Sequence, residues 1–125
     1  MKIKAYQTAF HQTGAVRVRE IHLSDDEVPE PGRLDLLLEQ VFRNGQNMFQ
    51  PVPDCYSLSV GDVVELPNGL KFRCLSAGWG ALADDEDPTA LTGRAAMGAA
   101  YESQRAKAVQ ALNQLSFEAA VRDRA

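Results

Sequence analysis

The 125-residue chain carries 13 lysines and arginines against 17 aspartates and glutamates, a formal net charge of −4, with 45% apolar and 24% charged residues. That length suffices to close one core without disulfides or a metal, and the composition excludes a disordered chain. The acidic balance excludes a general electrostatic drive towards nucleic acid or anionic lipid. Met1 to Ala5 start no long apolar run and carry no cleavage-type site, so neither secretion nor membrane insertion is expected, and the cytoplasm is the expected location.

Taken in order, residues 2–10 mix β-branched, aromatic and polar residues, which predicts a strand delivering Tyr6 and Phe10 to the core. Gln12-Thr13-Gly14 turns the chain. A second strand follows over Ala15 to Leu23, where Val16 and Val18 alternate with Arg17 and Arg19 as in a half-buried antiparallel strand. The acidic stretch Ser24 to Gly32 holds Pro29 and Pro31 and is expected to be a surface loop with at most one helical turn. A helix is predicted over 33–44, because Leu34, Leu37, Leu38 and Val41 recur at i, i+3, i+4 and i+7 and Gly45 stands ready to end it. From Gln46 to Tyr56 an ordered crossing loop is expected.

The stretch Ser57 to Trp79 predicts a β-hairpin about Asn68-Gly69, a dipeptide suited to the two-residue type I′ turn. That turn would pair Pro67 with Leu70, Glu65 with Phe72 and Val63 with Cys74. Leu66 would then face Lys71, and Val64 would face Arg73. The acidic run Ala83 to Pro88 resembles a boundary, dividing a compact unit at 1–82 from an acidic linker and helical extension at 83–125. Asp87-Pro88 suits a helix start. From Arg94 onward a long helix is predicted, with Met97, Tyr101, Ala108, Leu112 and Leu115 forming a stripe that Arg105 interrupts, and with Ser116 placed to break it. The segment beyond Asp87 is expected to serve association and to be dispensable for folding of the first unit.

Chemistry has few carriers. His11 and His22 stand in no HxxxH-type spacing, and Cys55 and Cys74 form no CxxC, so two reduced thiols and two ordinary histidines are expected. The clusters Asp25-Asp26-Glu27 and Asp84-Asp85-Glu86-Asp87 lack the ligand spacing of a calcium loop, and no glycine-rich phosphate loop joins a strand to a helix. No catalytic residue, cofactor or metal site is expected. Two surfaces could act instead. Lys71, Arg73 and Trp79 could stack single-stranded nucleic acid on the hairpin, although two cations in an acidic chain make a weak funnel. The stripe of the last helix could bind a protein partner or a second copy.

The helix Leu34 to Phe42 followed by Arg43-Asn44-Gly45-Gln46-Asn47, the run Ser57-Leu58-Ser59-Val60-Gly61-Asp62-Val63-Val64-Glu65-Leu66, and Ala77-Gly78-Trp79 together resemble the YodL-like family, small uncharacterised proteins of bacterial plasmids, phages and integrated mobile elements. The resemblance covers the middle third of the chain and brings no catalytic residues with it. It implies an accessory protein of a mobile element. The expected fold is α+β: a small antiparallel sheet of the N-terminal strands and the central hairpin, covered by one helix, with a C-terminal helical extension. The expected function is non-enzymatic protein binding, directed at a host defence or regulatory protein, with a homodimer through the C-terminal helix, no membrane, and nucleic-acid binding through Lys71, Arg73 and Trp79 as the alternative.

Overall fold

The computed structural model describes the backbone of residues 1–10 and 16–124 and the side chains of 1–10 and 16–110. The fold is α+β, as expected. Strands β1 (Lys2–Gln7), β2 (Arg17–His22), β3 (Val63–Glu65), β4 (Lys71–Cys74) and β5 (Trp79–Ala81) make one antiparallel sheet in the order β2-β1-β3-β4-β5. Helix α1 (Leu34–Asn44) packs on one face, and α2 (Arg94–Arg124) follows the last strand. No described helix is long and apolar enough to cross a membrane.

The first two strands pair over their whole length, but in the opposite phase to the expected one. Ile3 pairs with Ile21 and Ala5 with Arg19, so the core face carries Ile3, Ala5, Gln7, Arg19 and Ile21. Tyr6 is half-buried on the other face, Phe10 lies beyond the strand end and is exposed, and Val18 is 55% exposed. The reason is the larger apolar prize. Ile21 and Leu23 share a phase with Arg19, and burying both outweighs burying Val18, so the period of two carries Arg19 inward.

The hairpin is also one residue out of the expected register. Val64 faces Phe72, Val63 faces Arg73 and Glu65 faces Lys71. The connection is not a two-residue turn. Gly69 N–H donates to Leu66 O at 2.9 Å, Leu66 N–H donates to Leu70 O at 2.9 Å, and the three residues Pro67-Asn68-Gly69 form the loop. Gly69 has φ of +88°, whereas Asn68 is not among the described residues with positive φ. Pro67 accounts for this, because its ring fixes φ near the value wanted at the second position of a type I turn, leaving only the next glycine to enter the left-handed region. The shift puts Val64 and Phe72 in the core with Ala5, and turns Lys71 and Arg73 to the opposite face with Val63 and Glu65.

Helix α1 covers the core face with Leu38 and Val41, and Leu37 packs partly against it. Leu34 remains 39% exposed. A single 3-10 turn (Asp25–Glu27) precedes it, held by Glu27, whose carboxylate accepts from Ser24 N (2.9 Å), Gln40 Nε2 (3.1 Å) and Asn44 Nδ2 (3.1 Å). The Ser24 N–H first, and then the Asn44 amide, hold the Glu27 carboxyl below its ordinary range.

The opposite face is closed by residues 83–100. Lys71 Nζ donates to the carbonyls of Asp84 (2.9 Å) and Glu86 (2.7 Å), Gly93 N–H donates to Thr8 O (2.8 Å), and Ala96 and Ala100 are buried. The boundary at residue 82 is therefore one of composition, and contacts cross it. Asp87 does not start the helix. Its Oδ1 accepts from Thr89 N (2.8 Å) and Oγ1 (2.9 Å), a local turn, and α2 begins at Arg94. Ser116 does not break α2, which runs unbroken to Arg124.

Candidate functional site

The run Ser57 to Asp62 folds into a polar knot at the head of β3. Asp62 is fully buried, and its Oδ1 accepts from Ala9 N (2.9 Å) and Tyr56 OH (2.9 Å) while Oδ2 accepts from Ser59 N (2.9 Å). Gly61 O receives Thr8 Oγ1 (2.9 Å) and Arg73 NH1 (2.8 Å). Gly61 itself has φ of +96°, and a Cβ there would lie 3.3 Å from Ala9 Cβ and 3.2 Å from Met97 Sδ, so the position demands glycine twice over. Burial raises the Asp62 carboxyl above its ordinary range although the Ala9, Ser59 and Tyr56 donors oppose it. Burial first, then the Asp62 charge, pushes the Tyr56 hydroxyl up as well. With its acceptors filled by two backbone N–H groups and a phenol, this carboxylate ties β1, β3 and the crossing loop together.

A second knot forms around Arg19, which is 2% exposed. Its NH1 donates to Asn47 Oδ1 (2.8 Å) and Tyr56 O (3.3 Å), its NH2 donates to Gln50 O, and Gln7 Nε2 donates to Tyr56 O from the neighbouring strand. Asn47 continues the chain of bonds through Nδ2 to Cys55 O (2.7 Å). Gln50 closes the edge of β2: its side-chain amide accepts from His22 N (2.9 Å) and donates to His22 O (2.6 Å) where a further strand would pair. The crossing loop is thus ordered, and what orders it is polar.

Arg73, expected at a nucleic-acid face, is 4% exposed and spends its guanidinium on Gly61 O. Lys71 is held by the 84–86 carbonyls, and half-buried Trp79 packs against the core cluster. The three are not brought onto one accessible surface. Cys55 and Cys74 are both free. Burial and then the Asp62 charge push the Cys74 thiol up to about 12, which keeps it neutral. His22 is exposed beside Glu20, and His11 lies outside the described residues. Among the described residues no three His, Cys, Asp or Glu side chains are placed to hold a metal.

Of the stripe predicted on α2, Met97 reaches back to Gly61, whereas Tyr101 and Ala108 are exposed. Ala96, Ala100, Ser103, Gln104 and Lys107 face the sheet. Gln104 Oε1 accepts from Ala77 N (2.9 Å) and Ser76 Oγ (3.3 Å), and Lys107 Nζ donates to Trp79 O. Small and polar residues suit this contact because a Cβ on Gly80 would come within 3.3 Å of Ser103 Cβ. Met97 is left 39% exposed and Tyr101 67% exposed, and every residue from Arg105 to Gln110 is exposed. Leu112 and Leu115 lie on the same helix, with side chains outside those described.

Between α1, β4, β5 and α2 lies an apolar groove of about 540 Å³. Leu34, Leu38 and Phe42 form one wall, Phe72, Cys74 and Trp79 the floor, and Lys107 stands across from them, with Asp35 and Glu39 on the α1 side. Leu34 was legible as a helix-stripe residue, but the groove joins it and Phe42 to Trp79 from a distant strand, and no local pattern announces that. The knot residues Gln7, Arg19, Asn47, Tyr56 and Asp62 also escaped the sequence reading. Their only trace was the placing of polar residues in phase with Ile3, Ile21 and Val64. No family model, curated protein or solved structure matches the chain.

Proposed function

We propose that this chain is a non-enzymatic protein-binding accessory factor of a mobile genetic element, working in the cytoplasm by occupying a surface on a host defence or regulatory protein, with α2 as its binding element. The observation that carries the reading is the exposed face of α2: Tyr101 is 67% exposed, and among the described residues the helix meets the body chiefly through Ala96, Ala100, Ser103, Gln104 and Lys107. A helix that offers an apolar stripe beside charged residues gains stability by laying that stripe on a partner, at roughly 25 cal/mol per Å² of apolar surface removed from water. The mobile-element setting rests on the resemblance carried by residues 34–47, 57–66 and 77–79.

The test is capture from host lysate with the tagged full chain and with its Tyr101→Glu variant. A host protein retained by the first and lost by the second is the expected result, with equal melting temperatures for the two chains. Identical retention by both would remove α2 from the interaction. Titration with single-stranded DNA and RNA at low salt is expected to show no binding, and salt-sensitive binding would favour the nucleic-acid reading instead.

A further inference from the structure

The ladder between the first two strands fixes which way each residue of β2 aims its backbone. Met1 N donates to Leu23 O (2.7 Å) and Leu23 N–H to Met1 O (2.9 Å), so bonds are exchanged between Met1 and Leu23, Ile3 and Ile21, Ala5 and Arg19, and Gln7 and Arg17. Val18, Glu20 and His22 alternate with these and aim N–H and C=O away from β1, and β2 is an outermost strand. Among the described residues, no bond holds the outward groups of Val18 and Glu20. Three alternate positions therefore form a ladder on which a further strand would pair.

The last rung is taken. Gln50 Oε1 accepts from His22 N (2.9 Å) and Gln50 Nε2 donates to His22 O (2.6 Å), so a side-chain carboxamide occupies the place of a neighbouring strand's peptide group. The backbone of Gln50 is fixed on both sides: its N–H donates to Gln46 O (3.1 Å), and its carbonyl accepts from NH2 of buried Arg19. The opposite edge of the sheet repeats the arrangement. Leu75 N–H donates to Gly78 O (3.1 Å) and Leu82 N–H to Lys71 O (3.0 Å), which leaves Trp79 and Ala81 aimed outward, and Lys107 Nζ donates to Trp79 O. Each outer strand is thus capped by a side chain from another segment.

We propose that Gln50 is an edge guard, positioned by Arg19, that stops the β2 strand of a second copy from adding to this one. The register it excludes follows from the sequence of the strand. Antiparallel pairing of two β2 strands about a two-fold axis at Ile21 puts Glu20 opposite His22 of the second copy, whereas an axis at Glu20 sets two carboxylates opposite each other and one at Arg19 sets two guanidiniums. The favoured register needs the backbone of His22, and that is the group Gln50 holds. The guard goes beyond the binding role of α2 and does not depend on it.

Sedimentation velocity and amide exchange of the full chain test the guard. In the wild type the His22 amide should be protected while the Val18 and Glu20 amides exchange freely at every concentration. Gln50→Ala and Gln50→Met, the second keeping the length of the side chain in case the first fails to fold, should open the rung. In dilute solution their His22 amide should exchange about tenfold faster. On raising the concentration their mass should rise above that of the wild type, with the Glu20 and His22 amides becoming protected together. Adding Glu20→Pro, which removes an outward N–H and spares the β1 ladder, should restore the wild-type mass. Variants that keep the wild-type mass at every concentration would overturn the guard, as would association that leaves Glu20 and His22 unprotected or survives Glu20→Pro. A wild type whose Glu20 amide gains protection on concentration would overturn it too, because the edge would then be open with Gln50 in place.

Discussion

The two ends of the sheet handle exposed chemistry in opposite ways. At the β1–β2 end, buried Arg19 and Asp62 are held by backbone carbonyls, backbone N–H groups, Asn47 and Tyr56, so their polarity is spent on holding a loop. At the β5 end, Phe42 and Leu34 are partly open to solvent around an apolar groove, and the helix passing there, with Tyr101 exposed on it, meets the sheet through alanine, serine, glutamine and lysine. A buried charge bonded to several segments is the mark of architecture, here even with Arg19 Nε and Gln7 Oε1 left without a partner, because removing either side leaves further orphan groups in a low dielectric. Exposed Tyr101 and Val109 bury little apolar surface in this fold, and they are the surface that the proposed binding would use. The chemically richest residues of this chain are therefore structural, and the blandest ones carry the proposed function.

The comparison can be broken at its seam. Truncation after Leu82 removes the carbonyls that hold Lys71, the Gly93 bond to Thr8, and buried Ala96 and Ala100, so it is expected to cost the most, on the order of several kcal/mol by lost burial alone. Truncation after Gln110 should leave the fold intact. Urea titration of both by circular dichroism separates them, and equal midpoints would mean that the start of α2 does not belong to the body.

Within the architectural end, Asp62→Ala strands two backbone N–H groups and the Tyr56 hydroxyl and should cost about 3 kcal/mol or more. Asp62→Asn should cost less and change the pH profile. Because burial raises the Asp62 carboxyl, the native state holds that proton more tightly than the unfolded chain does. Its contribution is fully present below the ordinary carboxylate range and is lost as pH rises through the raised native value. The wild type should therefore lose stability relative to Asp62→Asn as pH climbs from the acid side, and parallel profiles would deny the raised carboxyl.

Arg19→Leu comes next, at about 2 kcal/mol, since Gln50 O and Asn47 Oδ1 lose a buried charged donor. Its sharper signature is local: limited proteolysis should cut within 46–56 while the wild type resists. The smallest effect is at the turn. Gly69→Ala should cost about 1 kcal/mol because φ is positive there, and Asn68→Ala should cost about half of that, losing only its bond to Leu70 N. Equal costs at both positions would restore the two-residue turn.

Helix periodicity made α1 and the long α2 readable, and β-branched alternation made the hairpin and the first two strands readable, because those signals are local and repeat over several residues. The phase of β2 and the register of the hairpin were not readable, because each turned on a single competition: Ile21 and Leu23 against Val18 for the core, and Pro67 against Asn68-Gly69 for the turn. The same limit applies to the knots and the groove. The sequence alone determined that this is one small α+β chain with a helix whose stripe its own composition leaves over. Only the tertiary structure decided that Arg19, Asp62 and Arg73 are interior and that Leu34, Phe42 and Trp79 meet around an open groove. Those arrangements depend on which residues from distant strands and loops share a face, a consequence of packing and hydrogen-bond satisfaction that no short window of sequence contains.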